Sequence, residues 1–203
     1  MAEHLEIEQK FEVDEAFERP DFGAIPGGVT AAAPVTHHLA ATYFDTADAR
    51  LAAAKITLRR RVGGSDEGWH LKLPVSAQAR RELREPLSDE LPETLAARVA
   101  EVTRGAALAP IATLDTERTI VSLHANGALV AEVADDVVTA RRLGGAGADG
   151  GTRDDRPALR WREIEVEVPR AHPRLQEAAA KLLTDAGARP ARSSSKLARL
   201  LNI

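Results

Sequence analysis

The stretch Glu6-Ile7-Glu8-Gln9-Lys10 sets charge on every second position, and a β-strand sends alternate side chains to opposite faces. Glu6, Glu8 and Lys10 therefore share one face, with Leu5, Ile7 and Phe11 on the other. Later segments repeat the arrangement. Thr57, Arg59 and Arg61 lie opposite Ile56, Leu58 and Val62, with Arg60 an exception placed to reach past an edge to water. His70 and Lys72 oppose Trp69, Leu71 and Leu73, while Arg80, Glu82 and Arg84 share one face of a short strand that ends before Pro86. Glu163, Glu165 and Glu167 all face away from Ile164, Val166 and Val168. Strands patterned in this way require a sheet whose two faces meet very different surroundings.

The remaining segments supply connections and helices. Residues 14–34, rich in Pro, Gly and Ala, read as a loop with a short turn of helix. A strand over 38–44 runs into Asp45-Thr46, either of which can cap an alanine-rich helix to Lys55. The segment 63–68 is a hairpin loop, and 93–104 has helical spacing through Leu95, Val99 and Val102 with Gly105 as its stop. A strand over 116–124 carries Arg118. Asn126-Gly127 marks a hairpin turn, and the strand over 129–140 puts Glu132 and Asp136 on one side. Residues 144–155 read as a flexible loop, 172–188 as a helix, and 193–201 as a short amphipathic helix carrying Lys196. No long linker divides the chain, so the expectation is a single domain over 1–203, α+β, with a mostly antiparallel sheet.

With 44% hydrophobic and 29% charged residues the chain has the balance of a folded globular protein. A formal net charge of −4 gives no general attraction to nucleic acid. The absence of cysteine rules out disulfides, thiolate zinc sites and cysteine nucleophiles. Met-Ala-Glu-His-Leu-Glu at the start is not a secretory signal, and no stretch is long and apolar enough to span a bilayer, so a cytoplasmic location is expected. The histidines lack HExxH spacing, the glycine run at 144–147 is not a phosphate-binding P-loop, and no serine sits in a nucleophile elbow.

The charged faces together hold the cations Lys10, Arg59, Arg61, Lys72, Arg80, Arg84 and Arg118, and the acids Glu6, Glu8, Glu82, Glu132, Asp136, Glu163, Glu165 and Glu167. If the sheet closes into a barrel with helices outside, these groups line its lumen, which must then be wet or hold a charged ligand. Cations beside a carboxylate cluster suit a polyanion bridged by a divalent metal to the acids. An open sheet with its charged face in solvent fits the same alternation.

Glu6-Ile7-Glu8-Gln9-Lys10 is similar to the ExExK signature of the CYTH superfamily, named for class IV adenylate cyclase and thiamine triphosphatase and also called triphosphate tunnel metalloenzymes. Further matches follow in order: Tyr43-Phe44-Asp45-Thr46, Leu58-Arg59-Arg60-Arg61, His70-Leu71-Lys72-Leu73-Pro74, Arg80-Arg81-Glu82, Glu117-Arg118-Thr119, Glu132 through Asp136, Glu163-Ile164-Glu165-Val166-Glu167 and Ser195-Lys196. The resemblance implies a closed eight-stranded antiparallel β-barrel, a divalent cation, Mg²⁺ or Mn²⁺, and hydrolysis or cyclisation of a triphosphate. It carries over Lys10, Arg59, Arg61, Lys72, Arg118 and Lys196, with Arg80 added, as triphosphate-binding cations. Glu6, Glu8, Asp136, Glu163 and Glu165 become metal ligands, with Asp135 or Glu132 as substitutes for Asp136 and the pair drawn from Glu163, Glu165 and Glu167 left open. Glu8 or Glu165 would accept the proton of an attacking water.

The expected activity is that of a metal-dependent triphosphatase acting on inorganic tripolyphosphate, thiamine triphosphate or a nucleoside triphosphate. A class IV adenylate cyclase and a non-catalytic polyphosphate-binding module are the alternatives. Four Phe, two Trp and one Tyr offer few rings to stack on an adenine, which weighs against the cyclase.

Overall fold

The computed structural model describes residues 2–76, 79–144, 157–168 and 172–203. Along the chain run β1 (Ala2–Val13), a 3₁₀ turn (Phe22–Ala24), β2 (Val29–Ala31), β3 (Val35–Asp45), α1 (Arg50–Ala53), β4 (Thr57–Val62), β5 (Gly68–Pro74) and β6 (Ala79–Glu85). Then come α2 (Glu93–Thr103), β7 (Ala109–Ala125), β8 (Ala128–Arg142), β9 (Leu159–Val168), α3 (Pro173–Asp185), β10 (Arg189–Pro190) and α4 (Lys196–Leu201). The loop expected over 144–155 falls, Gly144 apart, outside the described residues.

The strands pair antiparallel in the order β1-β6-β5-β4-β3-β7-β8-β9, and β9 pairs in turn with β1, so the sheet closes into an eight-stranded barrel. Closure leaves no open edge along the seam. The short β2 adds to β7, and β10 adds to β1. Asn126 and Gly127 turn the β7–β8 hairpin at φ 51° and 77°, the positive values a two-residue turn of that hand requires. At the β4–β5 hairpin, a Cβ on Gly63 would lie 2.3 Å from the His38 carbonyl oxygen and one on Gly68 2.4 Å from that of Glu85, so neither position tolerates a side chain.

The apolar strand faces pack outward. Phe11, Val121, Leu123, Val133, Ile164 and Val166 meet Ala179 and Leu183 of α3, and Leu58, Trp69, Leu71 and Leu83 meet Leu51 of α1 and Leu95 and Val99 of α2. α1 begins one turn later than its capping residues suggest, because the Asp45 carboxylate reaches over to accept from the backbone N–H groups of Thr46, Leu51 and Ala52. A third apolar cluster lies inside one end of the barrel. Ala41, Tyr43, Ala112, Leu114, Val138, Ala140 and Trp161 have the same strand parity as the charged residues, and Leu197 and Leu200 of α4 pack among them. α4 thus fills one end of the lumen, whereas α2 and α3 lie outside. Ser195 caps α4 by accepting from the Ala198 N–H, and Arg142 donates twice to the Leu200 carbonyl oxygen.

Candidate active site

The cation side of the lumen begins on β4. Alternation brings Arg59 and Arg61 inward, and Leu58 just before them packs outward with no exposure. Tyr43 faces Arg59 across the β3–β4 pair at 3.3 Å. Among the described residues, Arg59 has no carboxylate within ion-pair distance, and the Nε atoms of both Arg59 and Arg61 are buried without an acceptor. Arg61 contacts Asp66 at the β4–β5 turn, yet burial and the neighbouring Arg59 charge lower its pKa to about 10. These guanidinium groups are short of anionic partners.

Glu82 on β6 organises the next sector. It is fully buried, and although burial opposes its ionisation, Lys72, His4 and His70 hold its pKa far below the usual carboxylate range. His70 places Nδ1 2.9 Å from Glu82 and Nε2 2.8 Å from the Asp66 carbonyl oxygen. Burial and Arg59 lower the His70 pKa, whereas both ring nitrogens face acceptors; the hydrogen-bond geometry favours the imidazolium. Arg84 Nε donates to Glu82 at 2.6 Å, and Lys72 bridges Glu82 and Glu6. Glu82, Arg84 and His70 form a support for Lys72.

The acid side is built on β8 and β9. Asp136, Glu163 and Glu165 each bring one oxygen within 4.8 Å of the others, and among the described residues they are the group of this kind. Arg118 grips Asp136 with two parallel hydrogen bonds of 2.8 and 2.6 Å and donates to Glu165 at 2.6 Å. Lys10, directly opposite Glu165 in the β1–β9 register, donates to its other oxygen. The Lys196 ammonium lies 2.9, 2.8 and 2.7 Å from Asp136, Glu163 and Glu165. Against the cost of burial, these cations hold Glu165 well below its ordinary pKa, and the charges of Asp136, Glu163 and Glu165 raise that of Lys196.

Asp136 therefore points to the lumen. Asp135 faces outward into a two-bond grip by Arg162, and Glu132 meets Ser122. Glu167 lies opposite Glu8 in register and in the same lumen lining. Burial and the charges of Glu6, Glu8 and Glu165 push its pKa up to about 7. Glu6, only 5% exposed, keeps Oε2 without a hydrogen-bond partner. Sequence parity put Glu167 on this face but could not show that it stands in a sector short of positive charge.

As the opposite charges close on one another, the lumen cavity has a volume of about 50 Å³. Glu8, Lys10 and Arg80 line both this lumen and a wider cavity of about 550 Å³ that also borders Arg192, Ser193 and Ser194. Arg80 stands at that mouth and donates to the Ser194 carbonyl oxygen. The expected cations thus fall into a lumen set and a mouth residue, Arg80.

No helix among the described residues is long and apolar enough to cross a membrane. The chain is 41% identical over 208 residues to an uncharacterised protein found in two strains of Mycobacterium tuberculosis, covering 98% of this chain and 40% of that protein. It spans about 40% of the length of the curated relatives it matches. Among solved structures it resembles a candidate adenylate cyclase from Bacillus halodurans, with TM-score 0.60, 19% identity and 98% coverage of both chains. Another, from Vibrio parahaemolyticus, gives TM-score 0.52 at 14% identity, covering 98% of this chain and 99% of that one. At such identities the likeness is one of fold. The CYTH domain model matches residues 4–200, and the chain belongs to the CYTH family, which includes triphosphatases and adenylate cyclases.

Proposed function

We propose that the barrel lumen is the site of a divalent-metal-dependent phosphohydrolase that cleaves the terminal phosphoryl group of a triphosphate. The observation that carries this reading is the pair of buried, acceptor-less Nε donors on Arg59 and Arg61, opposite a carboxylate set in which Glu6 also keeps a buried oxygen without a partner. Donors without acceptors and acceptors without donors in one small lumen call for a ligand that is anionic on one side and cationic on the other.

The donor set fits Mg²⁺ or Mn²⁺, since every candidate ligand is a carboxylate oxygen. Glu6, Glu8, Asp136, Glu163 and Glu165 would hold it, with Glu167 added beside Glu6 and Glu8. Bound there, the ion would neutralise phosphate oxygens and fix their position. Lys10, Arg59, Arg61, Lys72, Arg118 and Lys196 would take the remaining oxygens, holding the phosphoryl group in line while spreading its charge. Arg80 would meet the part of the substrate that remains at the mouth. Glu8 suits the role of proton acceptor better than Glu165, whose oxygens are both engaged by cations and whose proton affinity is correspondingly low. Glu165 would instead set the positions of Lys10, Arg118 and Lys196.

Among the described residues Tyr43 is the aromatic ring that borders the lumen cavity, its hydroxyl accepting from Arg59, while Trp161 is held in the apolar end with Nε1 donating to Glu163. That favours hydrolysis of tripolyphosphate or another triphosphate over cyclisation of ATP, which needs a seat for adenine. Phosphate release from inorganic tripolyphosphate, thiamine triphosphate and ATP, with Mg²⁺, Mn²⁺ or EDTA, tests the reading. Metal-dependent release from at least one is expected; cyclic AMP formed from ATP, or tight polyphosphate binding without turnover, would replace it.

A further inference from the structure

We infer that Lys196 is an internal counter-cation that competes with the divalent ion for Asp136, Glu163 and Glu165, so that the ion gains this triad only when an anionic triphosphate draws the ammonium away. The inference rests on the phosphohydrolase reading for the identity of the ion and the anion, but not for its test.

The ammonium stands at the centre of the triad, within 2.9 Å of an oxygen of each acid. Its fit is poor for a resident partner. Only Glu165 receives an aligned hydrogen bond from it, and Glu163 Oε1, at 2.8 Å, remains a buried oxygen without one. An ammonium offers three protons in fixed tetrahedral directions, whereas a smaller divalent ion such as Mg²⁺ draws oxygens in to about 2.1 Å and carries twice the charge. The triad is thus arranged around a cation but not shaped to lysine.

Lys196 is also placed to leave. It is the first residue of α4, just after Ser193 and Ser194, which border the 550 Å³ mouth cavity, and Ser195, which with Ser194 borders a second cavity of about 480 Å³ on the α1 side. The rest of α4 is anchored independently: Leu197 and Leu200 in the apolar end, Leu200 through Arg142, and Arg199 over the Trp161 ring at 5.0 Å. The helix can hold its place while the Lys196 side chain swings from the acids to a phosphate, and linkage requires that whatever favours the swing for the anion favours it equally for the metal.

The test is Mn²⁺ binding, read by calorimetry and by the loss of the free-ion paramagnetic resonance signal, with no phosphate compound present. Lys196→Met is expected to bind Mn²⁺ roughly tenfold or more tightly than wild type, while Lys196→Arg stays near wild type, in line with couplings of this kind. Arg59→Met removes a lumen cation that does not touch the triad, and it should give a clearly smaller gain. Unchanged or weaker Mn²⁺ affinity in Lys196→Met would overturn the inference, as would an equal gain in Arg59→Met, which would reduce the effect to the general field. If Lys196→Met is too unstable for calorimetry, its melting temperature is read with and without Mn²⁺: a larger rise than wild type shows supports the competition, and none overturns it. Because no substrate is present, these outcomes are independent of whether the wild type releases phosphate.

Discussion

Lys10 on β1 and Glu165 on β9 stand directly opposite one another across the seam that closes the barrel, and the same carboxylate also receives Lys196 and Arg118. Truncating Glu165 therefore releases three buried cations together. Glu165→Ala is expected to lose metal-dependent phosphate release by at least about a hundredfold and to destabilise the fold by roughly 3–5 kcal/mol. Turnover assayed alongside urea unfolding checks both. A variant that stays active would remove the lumen acids from the mechanism.

Arg59 presents the reverse case, a buried cation that among the described residues has no carboxylate within ion-pair distance and has the like charge of Arg61 beside it. Arg59→Met should weaken triphosphate binding by roughly 10- to 100-fold, the worth of one charge-assisted hydrogen bond. Its melting temperature should be unchanged or raised. A large loss of stability would mean that Arg59 serves the fold and not the ligand.

The neighbouring acids Asp135 and Asp136 separate structure from site. Asp135 is gripped by Arg162, which also donates to the carbonyl oxygens of Glu15 and Phe17 and so ties down the segment after β1. Asp135→Asn should lower the melting temperature and leave KM for tripolyphosphate as it was, whereas Asp136→Asn should abolish Mn²⁺-supported turnover. Steady-state kinetics and thermal melts on the two variants decide the point; matching phenotypes would contradict the assignment.

Glu167 sets a pH dependence in the metal-free protein. Its folded pKa of about 7 lies above the ordinary 4.5, so between those values the folded state holds a proton that the unfolded chain has lost. Stability therefore falls as pH rises from about 4.5 to 7, by up to roughly 3 kcal/mol, and stays reduced above. Urea denaturation in EDTA should show the decline in wild type and a flatter profile in Glu167→Gln. An identical slope in both proteins would place the effect elsewhere.

Much of this was legible in the sequence because a barrel strand obeys a period of two. Glu6, Glu8 and Lys10, Arg59 and Arg61, and Glu163 and Glu165 all reach the lumen that parity assigned to them. Parity says which face, however, and not which neighbours. The register across strands puts Glu167 beside Glu8 and leaves it short of cations, and it places Arg80 at a mouth instead of deep inside. Asp135 and Asp136 occupy adjacent positions of one strand, so choosing between them needed the strand's phase through a less clearly alternating stretch. The helix at 193–201 was visible as amphipathic, but its apolar face enters the barrel where an exterior seat was expected, since a sequence shows that a face is greasy and not which surface will cover it. Asp45 caps α1 from outside the helix, a reach across the turn that the ordinary capping pattern does not encode.

The β1–β9 pairing also fixes when the site comes into being. Lys10 and Glu165 are 155 residues apart, so their contact closes a long loop, and long-range closures of this kind are slow and entropically costly. Until β9 docks, Lys10 and Arg118 have no Glu165, Lys196 keeps only Asp136 of its three acids, and the interior is an open trough of like and unlike charges in water. Ligand-binding competence should therefore mature with the last step of barrel closure, making phosphate affinity a reporter of complete folding that secondary structure alone would not provide.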